Sequence, residues 1–271
     1  IVYKIILKKT VKHIFSTLGA TNVLDVLLFN FAKLKGYSSN SAFKNQNSNF
    51  LLPPDYFLYE TYQLNYKQYK EDGEASAKEI IEWAKPYCIN LTSILEWGCG
   101  VARIVRHMPS IVSNADVYGV DINTKMIEWN CANIPNVNFK RIDYSPPTLF
   151  EDNTFNLIYA ISVFTHIEAE AQIDWIKEIH RITYSKGIFM FSTHGKKYET
   201  KLSANEHHLL QTKGVYTIAY KEKGHRMMST YNTEAYFKKL LKPYFEIMEF
   251  YDGEKFPDKV GGQDFWIGRK I

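Results

Sequence analysis

The sequence contains few cysteines and lacks a long apolar run. Its three cysteines, Cys88, Cys99 and Cys131, are scattered and do not have the spacing of metal ligands. Such a set is more typical of a reducing compartment than of a disulfide framework, so we expect a cytoplasmic protein without a metal site. No apolar run approaches the ~20 residues that a membrane-spanning helix requires.

Excess charge is also lacking over most of the chain. The net charge is +4 over 271 residues, but residues 1–35 contain six lysines against the single acid Asp25. These lysines are Lys4, Lys8, Lys9, Lys12, Lys33 and Lys35. The remainder of the chain is nearly neutral, which gives little support to a surface that tracks nucleic-acid phosphates.

What the sequence does contain is a strand, a glycine turn and a second strand between residues 91 and 123. Ser93 to Trp97 is a short apolar run typical of a buried parallel strand, and Gly98-Cys99-Gly100 follows directly. Val101 to Met108 has helical character, so backbone N–H groups and a helix N-terminus can approach a ligand here. Val117 to Val120 is a second strand. Asp121 at its end stands where doubly wound folds bind a ribose.

Two nucleotide-type ligands fit this layout. A dinucleotide site requires G-x-G-x-x-G, but Arg103 occupies the position of the third glycine. Glu96, just before the turn, would repel a pyrophosphate and instead suits the cationic amino group of a methionyl moiety. The pattern E-x-G-x-G followed by a strand-end Asp resembles motifs I and II of the class I S-adenosylmethionine-dependent methyltransferases. An NAD-dependent oxidoreductase and a non-catalytic cofactor-binding module stay open as alternatives.

The resemblance implies S-adenosylmethionine as cofactor, with S-adenosylhomocysteine as product. The backbone of Gly98 and Gly100 would contact the methionyl part, and Glu96 would orient its amino group. Asp121 would hold the ribose. The full set of predicted cofactor-binding residues is Tyr66, Glu96, Gly98, Cys99, Gly100, Arg103, Asp121, Ile122, Asp143, Tyr144 and Ser162.

The end of the third predicted strand, Val137 to Arg141, carries the expected adenine contacts. Asp143 can accept from an exocyclic amine, and Tyr144 can pack on the ring, which matches the family's third motif. Asp143 could equally do no more than cap the next turn.

Two histidines follow the next two strands. Phe155 to Ile161 resembles the family's fourth motif, with Asn156 in place of its usual Asp, and His166 comes just after it on the ligand-binding edge. We expect His166 to act as a general base toward a substrate hydroxyl, or else to hydrogen-bond a helix terminus. The fifth strand, Gly187 to Phe191, leads to His194, the second candidate base.

Residues 1–74 are predicted to form a helical cap and linker. Two helices divided near Gly19 come first, and residues 36–54 form a polar loop. The first helix has lysines at i, i+4 and an apolar stripe. Residues 1–18 therefore either contact a membrane surface or partner protein, or form an ordinary cap helix with a solvated lysine face.

A third cap helix begins at Asp55 and is predicted to end at Gly73. Its tyrosines lie near one face, at spacings of three and four residues. They are Tyr56, Tyr59, Tyr62, Tyr66 and Tyr69. This face either reaches the ligand, with Tyr66 at the cofactor and Tyr69 at the substrate, or packs the cap onto the core.

Residues 196–230 are too long and polar for a simple connection and are predicted to form a substrate lid. Its candidate substrate-binding residues are His207, His225 and Arg226, which could instead merely coat a loop. The chain's end, residues 261–270, resembles the closing strand of methyltransferases that act on small hydroxylated or saccharide acceptors.

The predicted fold is α/β: a doubly wound, seven-stranded, mostly parallel Rossmann-like sheet in residues 75–271, with the cap before it and the lid after strand 5. The predicted function is transfer of a methyl group to a small-molecule or saccharide acceptor, at a hydroxyl oxygen, by in-line displacement. A protein tethered to a membrane or complex through residues 1–18 is a further alternative.

Overall fold

A single seven-stranded sheet dominates the computed structural model, which describes residues 2–88, 90–220, 223–224 and 226–271. The strands are β1 (Ser93–Trp97), β2 (Asp116–Asp121), β3 (Asn138–Arg141), β4 (Phe155–Ala160), β5 (Thr183–Thr193), β6 (Val215–Ala219), β7 (Met228–Asn232), β8 (Phe245–Tyr251) and β9 (Asp264–Lys270). The main sheet has the order β3-β2-β1-β4-β5-β9-β8, and β6 and β7 form a separate antiparallel hairpin.

The helices surround this sheet and build the cap. They are α1 (Val2–Thr17), α2 (Thr21–Gln46), α3 (Asp55–Thr61), α4 (Tyr66–Ala84), α5 (Met108–Ile111), α6 (Thr124–Asn133), α7 (Ala169–Ile182), α8 (Lys196–Glu199), α9 (Ala204–Lys213) and α10 (Glu234–Leu241). In the part of the chain that the structure describes, no helix combines the length and apolar character needed to cross a bilayer.

The sheet confirms the predicted doubly wound architecture. β1 to β5 pair in parallel, while β9 runs antiparallel between β5 and β8. The sheet grows from β1 toward β2 and β3 on one side, and from β4 toward β5 on the other. The strand order therefore reverses between β1 and β4. In open α/β sheets, ligands bind outside the carboxyl ends of the strands at such a reversal.

Both faces of the sheet are covered because the central strands are apolar on both sides. Leu95 of β1 joins a core cluster with Trp175 and Ile176 of α7. Its neighbour Ile94 points the other way and joins a second cluster with Ile80 of α4. The alternation along β1 therefore fixes one helical layer on each face.

Two predictions for the cap are wrong. Residues 36–46 are not a loop, since α2 continues through Gly36 to Gln46. Gly73 does not end a helix but lies inside α4, where a Cβ atom would stand 2.2 Å from the backbone oxygen of Arg103. The break falls earlier, at residues 62–65, and Asn65 caps α4 by accepting from the Gln68 N–H.

The helical character predicted for residues 101–108 is found only from Val105 onward. Gly100 and Ala102 both have positive φ, of 50° and 56°, which interrupts any continuous helix after the glycine turn. A 3₁₀ turn at Val105–His107 and the short α5 take its place.

Candidate functional site

The glycine turn is held tightly against its surroundings. The N–H groups of Gly98 and Cys99 donate to the Val120 carbonyl at 2.8 and 2.9 Å, which joins the turn to the end of β2. Gly98 has a φ of 76°. A Cβ atom at Gly98 would lie 2.4 Å from Val163, and one at Gly100 would lie 2.7 Å from Thr61. Only glycine fits at these two positions, because a side chain would displace the segments packed on the turn.

Asp121 occupies the centre of the predicted ribose site. Its Oδ2 atom accepts from the Gly100 N–H at 2.8 Å, and its Oδ1 atom accepts from the Asn123 N–H at 2.8 Å. Burial raises the pKa of Asp121, while these backbone N–H groups oppose that shift by stabilising the charged form. Asn123 also caps α6, so the carboxylate is oriented by the same turn that starts the helix.

Glu96 lies inside the protein below the turn. Its Oε2 atom accepts from the Val105 N–H at 2.8 Å and from the Tyr159 hydroxyl at 3.2 Å. Burial raises the pKa of Glu96 to about 8, and the nearby Arg103 guanidinium acts against this shift. The Arg103 guanidinium packs on the Tyr62 ring, with its Cζ atom 4.4 Å from the ring centroid. Through its hydrogen bond with the Val105 N–H, Glu96 fixes the chain that follows the glycine turn.

The thiol of Cys99 is buried within the turn, and burial raises its pKa, so it stays protonated at neutral pH. Asn130 of α6 donates to the Gly100 carbonyl at 2.8 Å. The turn is therefore braced by α6 as well as by β2.

Ile122 and Tyr144 come together beneath Gly224, which belongs to the segment between β6 and β7. A Cβ atom at Gly224 would lie 2.7 Å from the Ile122 Cδ1 atom and 3.4 Å from the Tyr144 ring. The Tyr144 carbonyl also accepts from the Trp175 indole at 2.9 Å, which fixes this residue against α7. Asp143, in contrast, is largely exposed and pairs with Arg141 at 2.7 Å.

Ser162, after β4, has a strained backbone with a φ of 65°. The structure pins it from two sides: its N–H donates to the Ser192 hydroxyl at 2.8 Å, and its own hydroxyl accepts from the Gln263 amide at 2.8 Å. Ser192 is itself 2.7 Å from the Gln263 Oε1 atom. The ends of β4, β5 and β9 are thus joined by one polar network.

His166 has a defined tautomer. Its Nδ1 atom lies 2.8 Å from the Met228 carbonyl of β7. A carbonyl can only accept, so Nδ1 carries the proton and Nε2 carries the lone pair. Burial lowers the pKa of His166, and the charge of Arg226 lowers it further, so the ring is neutral at pH 7.

His194 stands beside His166 at the end of β5. Its ring stacks on Tyr198, with centroids 4.3 Å apart, and its buried Nδ1 atom has no hydrogen-bond partner in the described structure. Burial lowers the pKa of His194 to about 3. Asp264, at the start of β9, is nearly buried, and burial raises its pKa to about 6.

The two cap tyrosines chosen from the sequence are buried. The Tyr66 hydroxyl donates to Asp55 at 2.5 Å within the cap. The Tyr69 ring has no exposed surface, and its hydroxyl donates to the Val101 carbonyl at 2.6 Å. It also accepts from Arg106 at 2.9 Å. Tyr69 therefore fastens α4 to the chain that follows the glycine turn.

Arg226 of the insertion makes an ion pair with Asp25 of α2 at 2.5 Å, and Asp25 is only 2% exposed. Tyr56 donates to the same carboxylate at 2.7 Å. The Arg226 Cζ atom lies 3.9 Å from the centroid of the Tyr59 ring. This set joins the insertion to helices α2 and α3 of the cap. We call these four residues the clasp.

The remaining insertion residues are separate from this group. His207 pairs with Glu199 at 2.7 Å on the exposed side of α9. His225 lies outside the described residues.

Sequence reasoning missed several residues that shape the site. Thr61 covers Gly100, Met228 orients His166 through its carbonyl, and Gln263 holds Ser162. In the sequence, Asp25 stands out only as a lone acid among lysines. None of these has a local sequence pattern, because each acts through a contact with a distant segment. The Gly261-Gly262-Gln263 run before β9 is the one partial signal, since glycines there permit close approach.

Comparisons with known proteins agree with this geometry. Residues 94–187, about a third of the chain, match the family model of a methyltransferase domain. No curated protein matches the sequence.

Among solved structures, a SAM-dependent methyltransferase from Methanosarcina mazei superposes with a TM-score of 0.53 at 20% identity, covering 70% of this chain and 97% of that one. DesVI of Streptomyces venezuelae gives 0.55 at 12% identity, covering 76% and 95%. The 1,6-didemethyltoxoflavin-N1-methyltransferase of Burkholderia thailandensis, with 1,6-didemethyltoxoflavin and S-adenosylhomocysteine bound, gives 0.52 at 14% identity, covering 82% and 93%. At such identities these neighbours show the fold.

The matched segment runs from β1 to within β5 and contains the glycine turn, Asp121 and His166. Together with the shared fold, it supports an enzyme of the class I S-adenosylmethionine-dependent methyltransferases.

Proposed function

We propose that the protein transfers a methyl group from S-adenosylmethionine to a hydroxyl oxygen of a small-molecule or saccharide acceptor. The observation that carries the proposal is the Asp121 carboxylate, held by the Gly100 and Asn123 N–H groups beside the glycine turn. An ionised carboxylate offers about four acceptor positions, so capacity remains for the hydroxyls of a ribose. The backbone therefore orients this side chain before any ligand arrives.

The other residues at the turn fit the rest of this cofactor. Ile122 and Tyr144 provide apolar surface for an adenine ring. Glu96 places a carboxyl group near the glycine turn, and Arg103 places a cationic guanidinium there. This pair suits the amino and carboxylate groups of a methionyl moiety. A cation near Glu96 would lower its raised pKa and favour the charged form.

When bound, S-adenosylmethionine supplies a methyl group that is already activated on a sulfonium sulfur. The protein then has mainly to align the acceptor oxygen with that methyl group. Positioning of this kind can provide roughly 7–11 kcal/mol of the barrier reduction. We assign the alignment to the polar network of Ser162, Ser192 and Gln263, which fixes the chain at the ends of β4 and β5.

We assign the general base to His166. Its Nδ1–H is engaged by the Met228 carbonyl, so Nε2 is the atom that can take a proton from a hydroxyl. The lowered pKa keeps the ring neutral and therefore able to accept. His194 is less suitable, because its pKa of about 3 makes it a weak base.

The insertion acts as a lid in this proposal. Gly224 lies over Ile122 and Tyr144, and Arg226 closes the clasp onto the cap. We infer that Gly224 withdraws from Ile122 and Tyr144 when the cofactor binds. Arg226 then holds the lid rather than the substrate.

Transfer of a labelled methyl group tests this function. The protein is incubated with methyl-labelled S-adenosylmethionine and a panel of phenols, sugars, amines and carboxylates. We expect label on a hydroxylated acceptor. The His166→Ala variant should transfer the methyl group to this acceptor with a kcat lower by about 10²-fold or more, while its cofactor binding stays unchanged. Label found only on amines or carboxylates would contradict the proposal that a hydroxyl oxygen is the acceptor. An unchanged kcat in His166→Ala would contradict the assignment of His166 as the general base.

A further inference from the structure

Helix α2 exposes an apolar stripe that nothing in the described structure covers. Val23, Leu27, Phe31 and Leu34 are spaced by four, four and three residues, which places them on one face. Phe31 is 68% exposed and Leu34 is 77% exposed. A run of large apolar side chains in water is rare on a soluble surface and marks an interaction site.

The opposite face of α2 already has its partners. Leu24, Asp25, Asn40 and Phe43 are buried there. Asp25 belongs to the clasp, and the Asn40 amide donates to the Leu64 carbonyl at 3.2 Å. The helix is therefore fixed to the protein by one face, and the apolar stripe on the other face is not needed for its packing. Leu18, just before α2, adds a side chain that is also exposed.

The charges around the stripe are mostly positive. Between residues 10 and 54 the only acid is Asp25, and it is buried and paired. Lys33 and Lys35 are exposed, and Lys33 pairs with Asp55 at 3.3 Å. They flank Leu34 on its two sides, because successive helical residues are about 100° apart. The surface that surrounds the stripe is therefore positive.

We propose that this face of α2 docks on an anionic lipid surface. Apolar side chains between flanking lysines are the pattern of a helix that lies in the plane of a membrane interface, with the lysine stems reaching the headgroups. A second copy of the chain fits less well, because pairing the same faces would bring the positive Lys35 side chains of the two copies into one interface. The contact with the membrane is peripheral, because the other face of α2 is buried in the protein.

Co-sedimentation with vesicles tests the proposal. Wild-type protein is mixed with vesicles of phosphatidylcholine alone or of phosphatidylcholine with phosphatidylglycerol. We expect binding to the anionic vesicles, weaker binding at high salt, and little binding to the neutral ones. Phe31→Glu combined with Leu34→Glu should lower the partition by about tenfold or more. Lys35→Gln should lower it by about fivefold on the anionic vesicles only.

Leu149→Glu is the matched control, because Leu149 is an exposed leucine in a loop far along the chain from α2. It should leave the partition unchanged, and all variants should keep the wild-type circular dichroism spectrum. Absence of wild-type binding to anionic vesicles would overturn the proposal, as would equal binding by the double Glu variant. A wild-type dimer that the double Glu variant turns into a monomer would also overturn it, and would assign the face to a second copy.

Discussion

Two aspartates, the partly buried Asp121 and the buried Asp25, are held in opposite ways. Asp121 is bound by backbone N–H groups from its own β2–α6 turn and from the glycine turn. Asp25 is bound by the side chains of Tyr56 and Arg226, which come from distant parts of the chain.

The difference separates a binding group from a structural one. Backbone donors leave part of the Asp121 carboxylate free for a ligand, and they add no positive charge that would neutralise it. Arg226 brings a positive charge to Asp25 and joins two segments that are 201 residues apart. Removing Asp121 should therefore affect the ligand, while breaking the clasp should affect the fold.

The largest effect is expected for Asp121→Ala. Loss of two hydrogen bonds from ribose hydroxyls to a charged acceptor should weaken S-adenosylmethionine binding by roughly 3 kcal/mol or more, about 100-fold. Isothermal titration calorimetry measures this change. Asp116→Ala, at the exposed far end of the same strand, is the control and should bind normally. An affinity within a few-fold of wild type for Asp121→Ala would remove Asp121 from the site.

Arg226→Met should lower the free energy of unfolding by about 3 kcal/mol, because it removes an ion pair from the buried Asp25 carboxylate. Urea denaturation measures the loss, and Asp25→Ala combined with Arg226→Met should recover part of it. Lys223→Met removes a largely exposed pair with Glu168 in the same insertion and should leave the free energy of unfolding nearly unchanged. Equal losses for Arg226→Met and Lys223→Met would show that the clasp is no more than a surface contact.

His194 should make the protein sensitive to acid. The ring is neutral in both states above its unfolded pKa of 6.5, so its contribution to stability is complete there. Below 6.5 the unfolded chain takes up a proton, whereas the folded ring does not until about pH 3. The free energy of unfolding should thus fall by about 2 kcal/mol between pH 6.5 and 5.

The measurement is urea denaturation at several pH values for wild type and His194→Phe. In His194→Phe, this fall in the free energy of unfolding with decreasing pH should be absent. In His208→Gln, a change on the exposed side of α9, the fall should remain. The same slope in wild type and His194→Phe would assign the acid sensitivity to other groups.

The smallest effect is expected for Gly73→Ala, where the sign is informative. In an open helix position this change would gain about 1 kcal/mol. Here the new Cβ atom would stand 2.2 Å from the Arg103 carbonyl oxygen, so we expect a net loss of about 1 kcal/mol. Thermal unfolding measures this change in stability. Ala75→Gly, in the same helix, is the control that measures the effect of helix propensity alone. A gain in stability would mean that α4 does not press on the chain after the glycine turn.

The central strands β1 and β4 were predictable because each is a local apolar run bounded by turn residues. Ser93–Trp97 and Phe155–Ala160 begin where the sequence places them. The same local signals failed at Gly36 and Gly73. A glycine predicts a break from its own backbone freedom, but both lie in helices that pack closely against other segments. Tertiary contact outweighs helix propensity at these positions.

The site divides in the same way. Asp121 follows from its position at a strand end, which is a property of the sequence. The clasp does not, since nothing near Asp25 or Arg226 indicates that they will meet. Arg226, predicted as a substrate contact, lies in an ion pair with Asp25 instead. Pairing between distant segments is decided by the assembled fold and has no local pattern.

Isothermal titration calorimetry of wild-type protein with S-adenosylhomocysteine, and separately with NADH, tests the assignment of the glycine turn most directly. We expect one molecule of S-adenosylhomocysteine to bind per chain and NADH to give no binding heat. Binding of NADH without S-adenosylhomocysteine, or of neither, would contradict it.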